Sequence, residues 1–276
     1  MKALSVKAYD LRQNVLDIIV SGGGGHIGGD MSSMEIMLTL YSRMRVDPKK
    51  PGDPDRDRFV LSKGHCVETL YAVLADRGFL DLAEVKAQFS KFGSEYIGHP
   101  HNTLPGIEMN SGSLGHGLSV CVGMALAGKM DGRDYRVYTL MGDGELAEGS
   151  VWEALMAGGH YRLDNLCAVV DRNHLQISGN TEDVMGHHDL HARFAAFDWH
   201  VIDVADGNDV EQLSAAFDEA EAKRGKPTII IANTVKGKGA SIMENKASWH
   251  HHLPNAEEYA QISRELKERK EALLHE

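Results

Sequence analysis

Along the second half of the chain, short apolar runs alternate with amphipathic stretches. Tyr135 to Met141, Leu166 to Asp171, Trp199 to Val204 and Thr228 to Thr234 are runs of strand length, and Ser150 to His160 and Val210 to Arg224 carry helical spacing. Continuous apolar runs of this kind mark strands buried on both faces of a parallel sheet. The rhythm of strand, helix, strand predicts an α/β fold. The first half reads as more helical. Leu11, Val15, Ile18 and Ile19 share one face and predict a helix over Leu4 to Val20, stopped by SGGGGHIGG. Ser32 and Ser33, with Glu35 three residues after Ser32, predict the cap of a second helix running through Met44. A short strand over Asp57 to Leu61 leads into SKGH. Helices follow over Cys66 to Ala75 and Leu82 to Phe89, the latter opened by Asp81 as a cap. Residues 98–117 have no period and are rich in turn formers; a loop this long inside a compact domain is usually functional. Leu118 to Lys129 predicts a helix, Asp171 is followed by a loop to about His188, and Glu257 to Leu273 predicts a charged helix. The 276 residues suffice for one large α/β domain or two small ones, and no internal repeat or low-complexity linker divides them.

A net charge of −11 argues against non-specific nucleic-acid binding. It also means that an anionic ligand would need a local positive source: a metal ion, helix N-termini or loop amides. The three cysteines, Cys66, Cys121 and Cys167, form no CxxC pair; two of them sit in apolar runs and read as buried thiols, which fits a reducing compartment. Met1-Lys2-Ala3-Leu4 leads straight into a charged amphipathic segment, and no apolar run reaches membrane-spanning length. The expected location is cytoplasmic.

Residues 142–173 carry the densest chemical signal. A strand-like run delivers Asp143 between Gly142 and Gly144, and Asn173 follows thirty positions later (173 − 143), just past a second apolar run. Both would sit beyond the carboxyl ends of strands, where open α/β sheets bind ligands. Gly144 lets the backbone approach phosphate oxygens. A carboxylate, an amide oxygen and a loop carbonyl suit a hard cation such as Mg²⁺ or Ca²⁺.

This stretch resembles the thiamine-diphosphate motif, and the match runs along nearly the whole chain, which resembles the N-terminal, cofactor-anchoring half of a transketolase. The resemblance implies a single domain over residues 1–276, with which the pattern agrees, built as a three-layer, doubly wound, mostly parallel sheet of the thiamine-diphosphate-binding fold. It implies that Asp143, Asn173 and the main-chain carbonyl of Leu175 hold Mg²⁺, with Ca²⁺ or Mn²⁺ as substitutes, bridging the two phosphates of the cofactor. Gly142 and Gly144 flank that site. In DRFVLSKGH, His65 falls at a diphosphate-binding position. In SGSLGHG, Gly112 and Leu114 match backbone positions that receive the aminopyrimidine. His26 matches a histidine facing donor hydroxyls, His99 of GHPH one that contacts substrate, and His250 one near both diphosphate and substrate. These three are the expected catalytic set, since imidazoles position hydroxyls and shuttle protons near neutral pH. The chain departs from the family pattern at several places. It has Gly24-Gly25 where Ser-Gly is common, Asp30 where a small residue is common, Ser113 for Pro, His116 for Gln, and His251 where glycine is frequent. No role is assigned to His101, His116, His251, His252, Lys236 or Lys238. Glu148 and Glu153 match acids at a contact between subunits, though acids also suit a helix start.

The reaction implied is transfer of a two-carbon ketol unit from a ketose, commonly phosphorylated, to an aldose. In the family the activating glutamate and most sugar-phosphate arginines lie on a later, pyrimidine-binding portion. The chain ends at Glu276, so the expected partners are a second copy of this chain and a separate C-terminal subunit, forming an α₂β₂ heterotetramer. The pathway is open between the pentose phosphate route and specialised catabolism of, for example, an apulose phosphate or a sulfonated ketose. Competing readings are the α subunit of a 2-oxoacid dehydrogenase, which lacks the FVLSKGH, GHPH and WHH set, and a deoxyxylulose-phosphate-synthase-like chain, which shares TVKGKG. A non-catalytic cofactor-binding subunit is a third. The literal GxGxxG from Gly23 to Gly28 follows a helix rather than the strand a dinucleotide site requires. Consecutive His250, His251 and His252 point in different directions, unlike zinc ligands.

Overall fold

The computed structural model describes residues 1–275. Five parallel strands form the main sheet: β1 (Arg58–Leu61), β2 (Val137–Gly142), β3 (Leu166–Arg172), β6 (His200–Val204) and β7 (Thr228–Asn233), in the order β1-β2-β3-β7-β6. Register runs from Val137 opposite Leu166 and Cys167 opposite Thr228. The three central strands are buried throughout their apolar runs, whereas the edge strand β6 leaves Asp203 exposed.

Strand side chains alternate between faces, and the two cores follow that alternation. Tyr138, Leu140, Cys167, Val169, Ile230 and Ala232 pack with α1 (Lys2–Gly22), α2 (Ile27–Tyr41), α3 (Val67–Asp76), α4 (Leu82–Gln88) and α9 (Val210–Ala222). Val137, Met141, Ala168, Val170, Ile229 and Ile231 pack with α5 (His116–Met130), α6 (Gly149–His160) and α8 (Leu190–Ala196). This is a three-layer α/β arrangement. The terminal helix α10 (Ala256–His275) lies along α1, with Ile262 and Leu266 buried.

The Asp81 cap forms as expected, accepting from the N–H groups of Ala83 (2.8 Å) and Glu84 (3.2 Å). The second helix does not start at Ser32. It begins at Ile27, and Ser32 and Ser33 lie inside it, their hydroxyls donating to the Gly29 carbonyl and to the Asp171 carboxylate. The capping-box spacing was therefore misleading: a buried carboxylate competes for hydroxyls that a solvent-facing helix end would have used. The helix also stops at Tyr41 rather than Met44. The expected loop after Asp171 contains a small ribbon of β4 (Leu175–Gln176) and β5 (Gly179–Asn180) and a short helix α7 (Thr181–Met185) before α8. Elements of two to seven residues are too short to display a period. Their capping residues, Asn180 and Asp189, were the available signal.

Cys66, Cys121 and Cys167 are free and buried. Among the described residues no helix is long and apolar enough to cross a membrane.

Candidate active site

Because β1, β2, β3 and β7 run parallel, the segments that leave their carboxyl ends emerge on one side of the sheet. They meet the turn before α2 and the irregular segment before α5, and enclose a cavity of about 460 Å³. His26, His65, His99, Gly112, Leu114, Gly142, Asp143, Gly144, Asn173, Leu175 and His250 all border it, so the fold gathers every residue that the sequence reading assigned to a site.

Asp143 leaves the end of β2 and is buried. Its carboxylate accepts from the N–H groups of His174 (2.6 Å) and Gly144 (2.9 Å) and from the Thr181 hydroxyl (3.3 Å). None of these donors is cationic. Burial, then the nearby Asp171 carboxylate, push its pKa up. A buried carboxylate served only by neutral donors is short of positive charge. Asn173 follows β3 directly. Its Nδ2 donates to Asp171 Oδ2 (3.3 Å) and Ser32 Oγ (3.4 Å), which sets the amide's orientation, while Oδ1 accepts from the Leu175 N–H (3.2 Å). The Leu175 carbonyl accepts from Lys236 Nζ (2.8 Å) and keeps a second lone pair. His174 adopts a left-handed backbone (φ 65°) between these residues, and its N–H lies on Asp143. Carboxylate, amide oxygen and carbonyl are the donor types of a hard divalent cation. Among the described residues no three His, Cys, Asp or Glu side chains group to hold a metal, so an ion here depends on the amide and carbonyl oxygens as well.

Four imidazoles border the same cavity. The His26 ring lies 5.0 Å from His65, 6.3 Å from His99 and 5.5 Å from His250, centroid to centroid. His65 and His250 are 5.6 Å apart. Burial, then the neighbouring His251, His99, Lys236 and Lys63, lower the His26 pKa to about 4. Burial, then Lys236, lower that of His250 to about 3. His65 is held well below its usual value by burial and then Lys63, and His99 is lowered by burial. At neutral pH all four rings are uncharged, each with one donor and one acceptor nitrogen. Lys236 donates to His250 Nδ1 (2.9 Å), so His250 carries its ring proton on Nε2.

Sequence reasoning left Lys236 unassigned and passed over Lys63, yet both are almost fully buried and border the cavity. Burial, then Lys63, lower the Lys236 pKa to about 8. Lys63 pairs with Asp171 at 2.5 Å, and Asp171 also accepts from Thr234 and Ser32. This buried pair lies beneath Asn173 and orients it. Removing one partner of such a pair typically costs about 3–5 kcal/mol. Glu145 borders the cavity too, accepting from the N–H groups of Gly115 (2.8 Å) and Gly142 (3.0 Å) and from the Ser62 hydroxyl. Asp171 had a readable signal, a charge ending an apolar strand run. Lys63 sat in plain view in SKGH, and only its burial marks it out.

The remaining candidates lie at the margin. His251 approaches His26 (4.8 Å) from an exposed position. His252 stacks near Trp249 and bonds Glu258 (3.0 Å). His101 bonds Thr103 (2.7 Å), and His116 is exposed at the start of α5. Lys238 does not border the cavity. Glu148 and Glu153 are both exposed, and Glu148 sits on the cavity rim.

Comparison with known proteins agrees with this architecture. The family described as "Transketolase, thiamine diphosphate binding domain" matches residues 4–271. The chain is 48% identical over 277 residues to one of the subunits of the apulose-4-phosphate transketolase of Phocaeicola vulgatus, covering all of this chain and 98% of that protein. It is 42% identical over 249 residues to the 6-deoxy-6-sulfo-D-fructose transketolase subunit SqwG of Clostridium sp. strain MSTE9, covering 90% of each. The crystal structure of transketolase from Campylobacter jejuni superimposes with a TM-score of 0.91 at 30% identity, over 98% of this chain and 43% of that one. The chain thus spans under half of the single-chain transketolases it resembles, and nearly all of the relatives named as subunits. This chain belongs to the transketolase thiamine-diphosphate-binding-domain family.

Proposed function

We propose that the chain is the cofactor-anchoring subunit of a two-chain transketolase that moves a two-carbon ketol unit from a ketose to an aldose. The observation that carries this reading is the one cavity that Asp143, Asn173 and Leu175 share with four neutral imidazoles. The residues suit Mg²⁺, with Ca²⁺ or Mn²⁺ as substitutes: Asp143 lacks a cationic partner and the donors are all oxygen. His65, Lys236 and the amides around Gly142 and Gly144 would hold the diphosphate, and Gly112 and Leu114 the aminopyrimidine. When bound, thiamine diphosphate supplies the electron sink that makes the carbon–carbon bond breakable. The protein's own part is to hold and to move protons. His26 and His99, being neutral, can accept a hydroxyl proton on one nitrogen while donating from the other, whereas His250, its Nδ1 taken by Lys236, donates from Nε2.

The relatives matched end to end are named as subunits of transketolases acting on apulose 4-phosphate and on 6-deoxy-6-sulfo-D-fructose. By that likeness the partner is a C-terminal, pyrimidine-binding subunit, the assembly α₂β₂, and the donor a branched sugar phosphate or a sulfonated ketose. Residues 1–276 act as one cofactor-binding domain, and three buried free thiols suit the cytoplasm. The 2-oxoacid dehydrogenase reading accounts for Asp143 and Asn173 but leaves the four histidines without a use.

Calorimetry on the chain mixed with its partner decides the matter. Thiamine diphosphate binds in the presence of Mg²⁺, binding disappears on chelation, and Asp143→Ala abolishes it. Undiminished affinity in Asp143→Ala removes the metal assignment. Absence of ketol transfer from either sugar class, with cofactor bound, favours the non-catalytic reading.

A further inference from the structure

Two acids lie beneath the His26 turn, and the proton chemistry of the histidines gives them no use. Asp30 is in the first turn of α2 and Glu68 in the first turn of α3, and both are fully buried. Asp30 is one of the positions where the chain departs from its family pattern. Its Oδ1 accepts from the Thr69 N–H (2.8 Å), and the Thr69 hydroxyl donates to the Asp30 carbonyl (3.0 Å), stitching the two helix starts together. Asp30 Oδ2 and both oxygens of Glu68 have no hydrogen-bond partner when both side chains are drawn as carboxylates. Asp30 is bonded to Thr69, the residue next to Glu68, so the two buried carboxyl groups are neighbours and each acts on the other's charge. One proton between them would give Asp30 Oδ2 and one Glu68 oxygen a partner. The His26 N–H favours ionised Glu68, but burial and then Asp30 outweigh it. A Cβ built on Gly25 would overlap Glu68 Oε1, so the Glu68 carboxyl underlies the backbone just before His26.

We propose that Asp30 and Glu68 share one proton and act as positioning residues, fixing the His26 turn against the segment that carries His65. Glu68 holds the proton and donates it to the Asp30 carboxylate. The Thr69 N–H, the Glu68 carboxyl, the Thr69 hydroxyl and, least of these, Lys63 favour the Asp30 carboxylate against its burial. The groups facing the pair agree with this division: Lys63 and Cys66 from the turn before α3, Tyr71 from within α3, and His26 before α2. Burial, then Asp30, push Glu68 well above the usual carboxyl range, and burial raises Asp30 to about 6. The positive ends of two helices make the remaining negative charge tolerable. The consequence for the site is geometric. His26 and His65, 5.0 Å apart, sit on different elements, and the shared proton joins those elements at their first turns. Loss of the joint lets the two imidazoles drift apart, and errors of an ångström in such positioning cost turnover steeply.

The catalytic part of this inference rests on the transketolase reading; the shared proton does not. Infrared spectra of the full chain at neutral pH should show the C=O stretch of a protonated carboxylic acid that is missing from Glu68→Gln. No such difference overturns the pair. In the assembled enzyme loaded with thiamine diphosphate and Mg²⁺, Glu68→Leu should lower kcat about tenfold with little change in cofactor affinity. Glu68→Gln, which can still donate to Asp30, should recover to within about threefold of the parent. Unchanged kcat in Glu68→Leu, or equal loss in both variants, overturns the positioning role. If Glu68→Leu fails to fold, Asp30→Asn decides. It leaves the Glu68 proton an amide oxygen to bond, and should keep kcat within about threefold while losing the charge; a larger loss refutes the proposal. Should even the parent assembly bind no cofactor, the functional reading falls and the infrared result alone settles the pair.

Discussion

His26, His65, His99 and His250 illustrate how burial prepares a residue for proton work. An isolated imidazole is half charged near pH 6.5, whereas burial drives all four to the neutral form, with Lys63 and Lys236 adding to it at His26, His65 and His250. The linkage has a definite sign. His26 falls from 6.5 to about 4 on folding, so the unfolded chain takes up protons below pH 6.5 that the folded chain refuses. Stability contributed by the neutral ring is therefore lost as pH falls from 6.5 towards 4. In His26→Asn, the melting temperature should decline less steeply across that window than in the parent. A decline of equal slope, followed by circular dichroism, would show that His26 is not buried as described. Asp143, Asn173 and the histidines were legible because their neighbours in the chain are distinctive: GDG, FVLSKGH, GHPH. Lys63 and Lys236 were not, because a lysine's meaning here comes from losing its solvent, and burial is decided by segments far away.

At the level of elements, the site exists because loops from different strands come into contact. The turn before α2 carries His26, and the long segment after β7 carries His250. They touch at Gly28, whose carbonyl accepts from the Gly237 N–H (2.9 Å). A Cβ on Gly28 would come within 2.5 Å of the Trp249 carbonyl oxygen. That obstacle is backbone, so one of the two loops has to move. Gly28→Ala should destabilise the chain by about 1–3 kcal/mol and lower turnover by displacing His250, read from denaturant unfolding and steady-state kinetics. A stable, fully active variant would mean the two loops are not mutually braced. Apart from the short elements between Leu175 and Ala196, strand and helix identities from residue 135 onward followed from apolar runs and helical spacing. The start of α2 did not. Ser32 and Ser33 look like caps only until β3 places Asp171 within reach of their hydroxyls.

For the whole molecule, the two-chain proposal places half of the working site on a partner. The cavity opens at a rim where Ile177 is 76% exposed, and the acid that the family uses to activate the cofactor belongs to its later, pyrimidine-binding portion. Light scattering on the chain mixed with a C-terminal partner should give the mass of two copies of each subunit, with cofactor affinity appearing only in the mixture. Independent masses under all conditions, together with full affinity in this chain alone, would remove the two-chain reading.

The amino-acid order alone determined the class of the fold, the family likeness, and which carboxylate, amide and histidines are candidates for the site, because those depend on short-range patterns: apolar period, glycine next to carboxylate, fixed tripeptides. Tertiary structure alone decided which charges are buried and what they face. The Lys63–Asp171 pair, the tautomer of His250 and the meeting of Asp30 with Glu68 join residues that are 108, 14 and 38 positions apart. Protonation depends on solvent and on neighbours in space, and the folded chain sets both only when its layers close.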